Sequence, residues 1–252
     1  AATLNGTCVY IPEGKYVISD TLTFESHRTK LYGANRGYVP GTYPTNTGGT
    51  RLVYSGVGYA ISFNGKQYCE VADLTIQSTT ANGGIYVGDI AHFFRVSRVV
   101  IDGQSSGTAT GFTSAGIAVE RSYYGVIEGC DITYCAANGI YGFHQCSGNF
   151  FQMNSIRQCG TGIRISDAVS NSDGCSIISN EIESARTDPG SGYGIAIVGA
   201  DSNMIVGNRI EWTPNGHIYV VNGVSAACQF NQPLRRKYKK GVSTDKAISP
   251  IA

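Results

Sequence analysis

Seven residues carry the chemistry that this chain offers: the carboxylates Asp102, Glu120, Glu183 and Glu211, and beside them Tyr141, Arg157 and Arg164. Two carboxyl groups at a fixed separation are what cleavage of a glycosidic bond requires. One keeps a proton for the leaving oxygen, and the other attacks the sugar or activates water. Tyrosine faces can stack on sugar rings, while guanidinium forks take hydroxyls and carboxylates. On a uronate the same Tyr141, Arg157 and Arg164 would instead neutralise the acid and remove a proton, which is lyase or epimerase chemistry.

Other reactive groups point to less. The histidines are scattered at positions 27, 92, 144 and 217, and none of the eight cysteines forms a CxxC, so no zinc site and no cofactor is expected. His144 follows Phe143 near a turn and reads as a surface histidine, with a catalytic base as the minority reading. The cysteines read as reduced core residues. Cys135 and Cys159 fall at equivalent repeat positions, which leaves both a disulfide and two stacked thiols open.

Residues so far apart in sequence can meet only if the chain repeats, and it does. Gly-Ile recurs at Gly84-Ile85, Gly116-Ile117, Gly139-Ile140, Gly162-Ile163 and Gly194-Ile195, then fades to His217-Ile218. The isoleucine steps are 32, 23, 23, 32 and 23 residues, as for a coil of 23 residues with an extra loop in two coils. A second row, Ile76, Ile101, Ile132, Ile156, Ile182 and Ile210, runs in phase and closes short β-rich segments. Asn154, Asn180 and Asn208 stand two residues before its last three members. Asparagine tolerates the left-handed conformation of a sharp corner and can form side-chain ladders, so these residues are expected at corners. No amphipathic helical segment appears. The expected fold is all-β: one right-handed parallel β-helix over residues 1–232, followed by a non-repeating tail over 233–252.

Alternation along each strand assigns the faces. After the Gly-Ile row, Tyr86, Ala118, Tyr141, Arg164, Ala196 and Tyr219 point outward, and Glu120, Phe143, Ser166 and Val198 follow two positions on. After the second row the outward set is Gln77, Asp102, Thr133, Arg157, Glu183 and Glu211. The long steps place insertions at Gly103–Ala115 and Ser184–Tyr193, at the same corner three coils apart, as two walls of a groove. Glu183 and Glu211 share a position on successive coils, about 4.8 Å apart in backbone, a spacing near that of a retaining carboxyl pair. Like charges so close would raise one pKa and leave a proton to donate. Glu120 with Asp102 is the alternative pair. Arg157 with Glu183, and Glu181 with Arg209, could equally be cross-strand ion pairs.

Composition sets the outer limits. Charged residues are 15% and the net charge is +1, so no global field attracts nucleic acid or an anionic membrane. A basic cluster, Arg235, Arg236, Lys237, Lys239 and Lys240, reads as a solvated tail, with an RNA-binding arm as the minority reading. No apolar run approaches the roughly 20 residues of a membrane-spanning helix, and the first residues lack signal-peptide character.

The opening Gly6-Thr7-Cys8-Val9-Tyr10-Ile11-Pro12-Glu13-Gly14-Lys15-Tyr16-Val17-Ile18 is a strand, a Pro-x-Gly turn and a second strand. With Leu31-Tyr32-Gly33-Ala34-Asn35-Arg36-Gly37 and Val71-Ala72-Asp73-Leu74-Thr75-Ile76, it resembles the N-terminal coils of the pectate-lyase-like superfamily, in its phage tailspike and capsule depolymerase branch. The resemblance covers residues 4–80 by motif and the rest by period. It implies a polysaccharide depolymerase, a glycosidase rather than a lyase, acting on a bacterial surface glycan as a virion or extracellular homotrimer. A non-catalytic glycan-binding or structural tail module is the alternative it also implies. Of the superfamily's catalytic motifs, only Arg164-Ile165-Ser166 approaches one. The superfamily's usual N-terminal capping segment is missing, so a fragment, or ends covered by other domains or chains, is expected.

Overall fold

The computed structural model describes residues 3–4, 8–37, 48–78, 81–103, 112–166, 172–183, 192–221, 226–229 and 232–233. Short strands recur in threes, and each third strand returns to the same sheet, so the chain winds into a parallel β-helix of three nine-stranded sheets. The first sheet contains Tyr59–Ser62, Gly83–Val87, Ala115–Glu120, Asn138–Phe143, Thr161–Ser166 and Tyr193–Val198. The second contains Lys30–Gly33, Glu70–Ala72, Arg95–Ser97, Val126–Glu128 and Phe150–Gln152. The third contains Thr75–Gln77, Val100–Asp102, Asp131–Thr133, Ser155–Arg157, Glu181–Glu183 and Arg209–Glu211.

Both isoleucine rows are in register. Ile85, Ile117, Ile140, Ile163, Ile195 and Ile218 pair coil to coil in the first sheet. Ile76, Ile101, Ile132, Ile156, Ile182 and Ile210 do so in the third. The two rows explain the glycine that precedes the first. A Cβ on Gly139 would lie 2.4 Å from Ile156 Cγ2, and one on Gly162 would lie 2.5 Å from Ile182 Cγ2. The glycine column is thus the space into which the third-sheet isoleucines pack. The second sheet adds its own inward column, Val71, Val96, Ile127, Phe151, Ile177 and Ile205, all fully buried.

The asparagine row is buried and forms the expected side-chain ladder, but it does not take the left-handed conformation. The left-handed residue at this corner is the one before it: Met153, Ser179 and Gly207 have φ of 54°, 53° and 65°. The asparagine amides bind along the axis. Asn154 Nδ2 donates to Asn180 Oδ1 at 3.0 Å, and Asn180 Nδ2 donates to Asn208 Oδ1 at 2.9 Å. The same oxygens accept the backbone N–H of Asn154 and of Asn180. A second set serves the corner between the first and second sheets, where Asn149 and Asn203 accept from the amides of Gly125 and Cys175.

The described cysteines are free thiols; Cys69, Cys130, Cys135, Cys146, Cys159 and Cys175 are buried. Burial pushes the Cys130 thiol up to about 12. The last described strand, Gln232–Pro233, still pairs with Arg209 and Ile210 where the tail was expected to begin. The basic cluster at 235–240 lies outside the described residues.

Candidate active site

Two outer faces receive the candidate residues. Asp102, Thr133, Arg157, Glu183 and Glu211 form one column on the third sheet. Glu120, Tyr141 and Arg164 lie on the first sheet, where Tyr141 pairs with Arg164 and Glu120 with Phe143. Asp102 and Glu120 therefore sit on different sheets and do not form a pair. Both insertions leave the third sheet at the same corner, as expected, but the groove walls at 104–111 and 184–191 lie outside the described residues.

Part of the third-sheet face is used internally. Residues 34–37 cross it: Thr75 donates to the Arg36 carbonyl at 2.6 Å, and Arg36 reaches Asp131 at 3.2 Å. Arg157 approaches the other oxygen of Asp131 at 3.6 Å. Burial raises the Asp131 pKa, opposed by the charges of Arg36 and Arg157. Asp102 accepts from Gln77 at 3.1 Å and from Thr133 at 3.3 Å, so it joins a polar ladder across three coils. Gln77 and Thr133, expected on the outside, are buried. Glu183 and Glu211 do stand on successive coils. Glu211 is ion-paired with Arg209, which also holds Glu181 at 2.8 Å.

The first sheet holds a different group. Tyr86 donates its hydroxyl to Glu120 Oε2, while Glu120 Oε1 lies 3.0 Å from His144 Nδ1. Burial works to raise the Glu120 pKa, but the hydrogen bonds of His144 and Tyr86 and the charge of Arg121 outweigh it, so the carboxyl sits below its ordinary value. Tyr86 is pushed the opposite way, by burial and then by its bond to Glu120. The centre thus contains an ionised carboxylate between a protonated phenol and an imidazole. The strand Ala115–Glu120 supplies the acid, and the corner after Asn138–Phe143 supplies the histidine. His144 has φ 49°, so it leaves the strand alternation and swings back to the preceding coil.

Aromatic groups surround this centre. Tyr141 and Phe143 stack with centroids 4.6 Å apart and planes 15° apart, and the Arg164 guanidinium lies 5.8 Å over the Tyr141 ring. On the other side, Thr21, Thr23, Tyr59, Ser62, Asn64 and Tyr86 line an open depression of about 320 Å³. Its walls carry hydroxyls, one amide and two tyrosine rings, with no charge. Ala118 and Ala196, expected outward, are on this face by register yet buried. Among the described residues, no three of His, Cys, Asp and Glu gather to hold a metal ion.

The right handed beta helix region family matches residues 59–232, and the chain belongs to it. No curated protein matches the chain. Among solved structures, ORF18 of Geobacillus virus E2 is similar at 12% identity and TM-score 0.62, over 92% of this chain and 55% of that one. DFA-IIIase from Arthrobacter chlorophenolicus A6, without its lid, gives 13% and 0.54, over 89% of this chain and 78% of that one. Tailspike gp49 of Acinetobacter baumannii bacteriophage Fri1, a capsular polysaccharide depolymerase, gives 12% and 0.52, over 86% and 44%. The chain spans about half the length of the two viral proteins. These likenesses are of fold.

Proposed function

We propose that this chain degrades a bacterial surface polysaccharide as part of a tailspike-type protein, binding the glycan on the outer face of its first sheet. The observation that carries the reading is the Tyr86–Glu120–His144 group, set between a hydroxyl-lined depression and the Tyr141–Phe143 stack. Sugar rings need flat apolar faces beside hydrogen-bonding groups, and this surface alternates the two. An ionised Glu120 serves as nucleophile or base rather than as the acid. His144, engaged through Nδ1, keeps Nε2 for proton transfer. A carboxylate-centred site favours hydrolysis over elimination. Glu183 and Glu211 stand as an acidic pair away from Glu120, with Asp102 and Arg157 in supporting positions on the same third sheet. Homotrimeric assembly and a place on the virion belong to the same proposal.

One observation favours a non-catalytic glycan-binding role. The Tyr141–Phe143 stack and the uncharged, hydroxyl-lined depression can hold a glycan with no chemistry at Glu120. Incubation with a panel of purified bacterial capsules separates the readings. New reducing ends without unsaturated-uronate absorbance are expected and mean hydrolysis; absorbance means a lyase; binding with neither means an adhesin.

A further inference from the structure

Arg164, like Arg28 over Tyr68, differs from most of the described arginines. Arg36, Arg95, Arg98, Arg121, Arg157 and Arg209 each reach a carboxylate. The Arg164 guanidinium lies over Tyr141, and its buried Nε has no hydrogen-bond partner among the described residues. That Nε is shielded from solvent, so a group arriving at this outer face would meet the guanidinium at its terminal nitrogens. The ring beneath fixes the guanidinium plane, which suits a planar, bidentate anion such as a carboxylate. Along the same face, the register runs Tyr86, Ala118, Tyr141, Arg164. Arg164 is therefore three coils from Tyr86 and the uncharged depression, roughly 14 Å along the axis.

We propose that Arg164 binds the carboxylate of an acidic sugar, and that the glycan is a mixed repeat whose neutral sugars occupy the depression at Tyr59 and Tyr86. This rests on the glycan-processing reading above and adds the class of glycan. Lying along the axis, such a chain would stack one ring near Tyr141 with its carboxylate on Arg164, and would pass Glu120 and His144 on the way to the depression.

The test titrates the full chain with acidic and neutral capsules, and with each bound acidic capsule after chemical reduction of its carboxyl groups. The wild-type chain is expected to bind the acidic form about 10- to 100-fold more tightly than the reduced form, as for a charge-assisted pair. Arg164→Gln should remove that preference and leave binding of the reduced form unchanged, while Arg164→Lys retains part of it. Arg51→Gln, which removes the same charge from the strand Thr50–Tyr54 beside Thr75–Gln77 in the third sheet, should leave the preference intact. Equal melting temperatures establish that the variants are folded. If the reduced form binds as well as the acidic one, or if Arg164→Gln keeps the preference, the assignment fails. Binding of neutral capsules alone also overturns it, while leaving the glycan-processing reading in place. Binding of none overturns both.

Discussion

The outer faces of the first and second sheets are laid on the same coils by the same kind of strand, yet, the corner pair Arg121–Asp89 aside, the strands themselves treat charge differently. On the second sheet and the corner that follows it, three acids meet a cation from a neighbouring coil: Glu70 with Lys30, Glu128 with Arg95 and Asp73 with Arg98. Tyr32 and Gln152 add hydrogen bonds to Glu70 and Glu128. On the first sheet, Glu120 is held by a phenol and an imidazole, and Arg164 by a ring. Cross-coil ion pairs of the first kind neutralise an exposed β-surface and contribute little, about 0–1 kcal/mol each. Among the described residues, groups not locked into such an acid–arginine or acid–lysine pair are the ones a ligand can engage.

The largest effect should come from the core beneath both faces. Ile163→Asp places an unpaired carboxylate in a fully buried column, and several kcal/mol of desolvation is comparable with the whole stability of a domain. Soluble expression should be lost. A well-folded Ile163→Asp protein, judged by circular dichroism and melting, would contradict the register.

On the first sheet, Glu120→Gln should lower depolymerisation by about 10²- to 10⁴-fold, the usual range for a positioned acid–base group, with the fold intact. The same variant tests the carboxyl by stability. Because the folded-state pKa is depressed, ionised Glu120 contributes stability above its unfolded pKa, and this is lost as pH falls through the lower folded value. The melting-temperature advantage of wild type over Glu120→Gln should therefore be present at neutral pH and vanish in acid. An advantage that grows on acidification would reverse the assignment.

Asn180→Ala interrupts the buried amide row and leaves neighbouring donors without acceptors, which costs about 1–3 kcal/mol. Chemical denaturation should show a lower midpoint, with both faces affected alike. The smallest effect is expected on the second sheet. Glu128→Gln breaks the pair with Arg95 but should cost no more than about 1 kcal/mol and leave turnover unchanged. A large loss of activity there would erase the distinction between the two faces.

Much of the fold is written in residue type. Isoleucine recurs in two columns and glycine in a third, because one side chain repeatedly fills one kind of space and the absence of another admits it. The second-sheet column was not legible, since Val71, Ile127, Phe151 and Ile205 satisfy burial without sharing a type. Nor were the left-handed corners, where Asp73, Arg98, Gly129, Met153, Ser179 and Gly207 share only a backbone angle. Alternation placed Glu120, Tyr141 and Arg164 on one face. It could not place His144 beside Glu120, because a residue with positive φ no longer follows the strand's two-residue period. Nor could it show that residues 34–37 would cover part of the third sheet, a contact made across 95 positions of sequence between Arg36 and Asp131.

The amide row has one further property. Asn154, Asn180 and Asn208 each accept at Oδ1 from the preceding coil and donate from Nδ2 to a carbonyl of that coil, at Ile127, Phe151 and Ile177. The Nδ2 groups of Asn154 and Asn180 also donate onward to the next oxygen. The side-chain oxygens therefore all face the preceding coil, and the linked amides polarise one another. This gives the solenoid an internal head and tail that its three-sided outline does not. A transplanted coil could enter the row only with its amide facing in the same sense, so the row selects polarity as well as register. At its leading end the Asn154 oxygen accepts the backbone N–H of Cys130 at 3.0 Å, and there the side-chain row passes into the main chain.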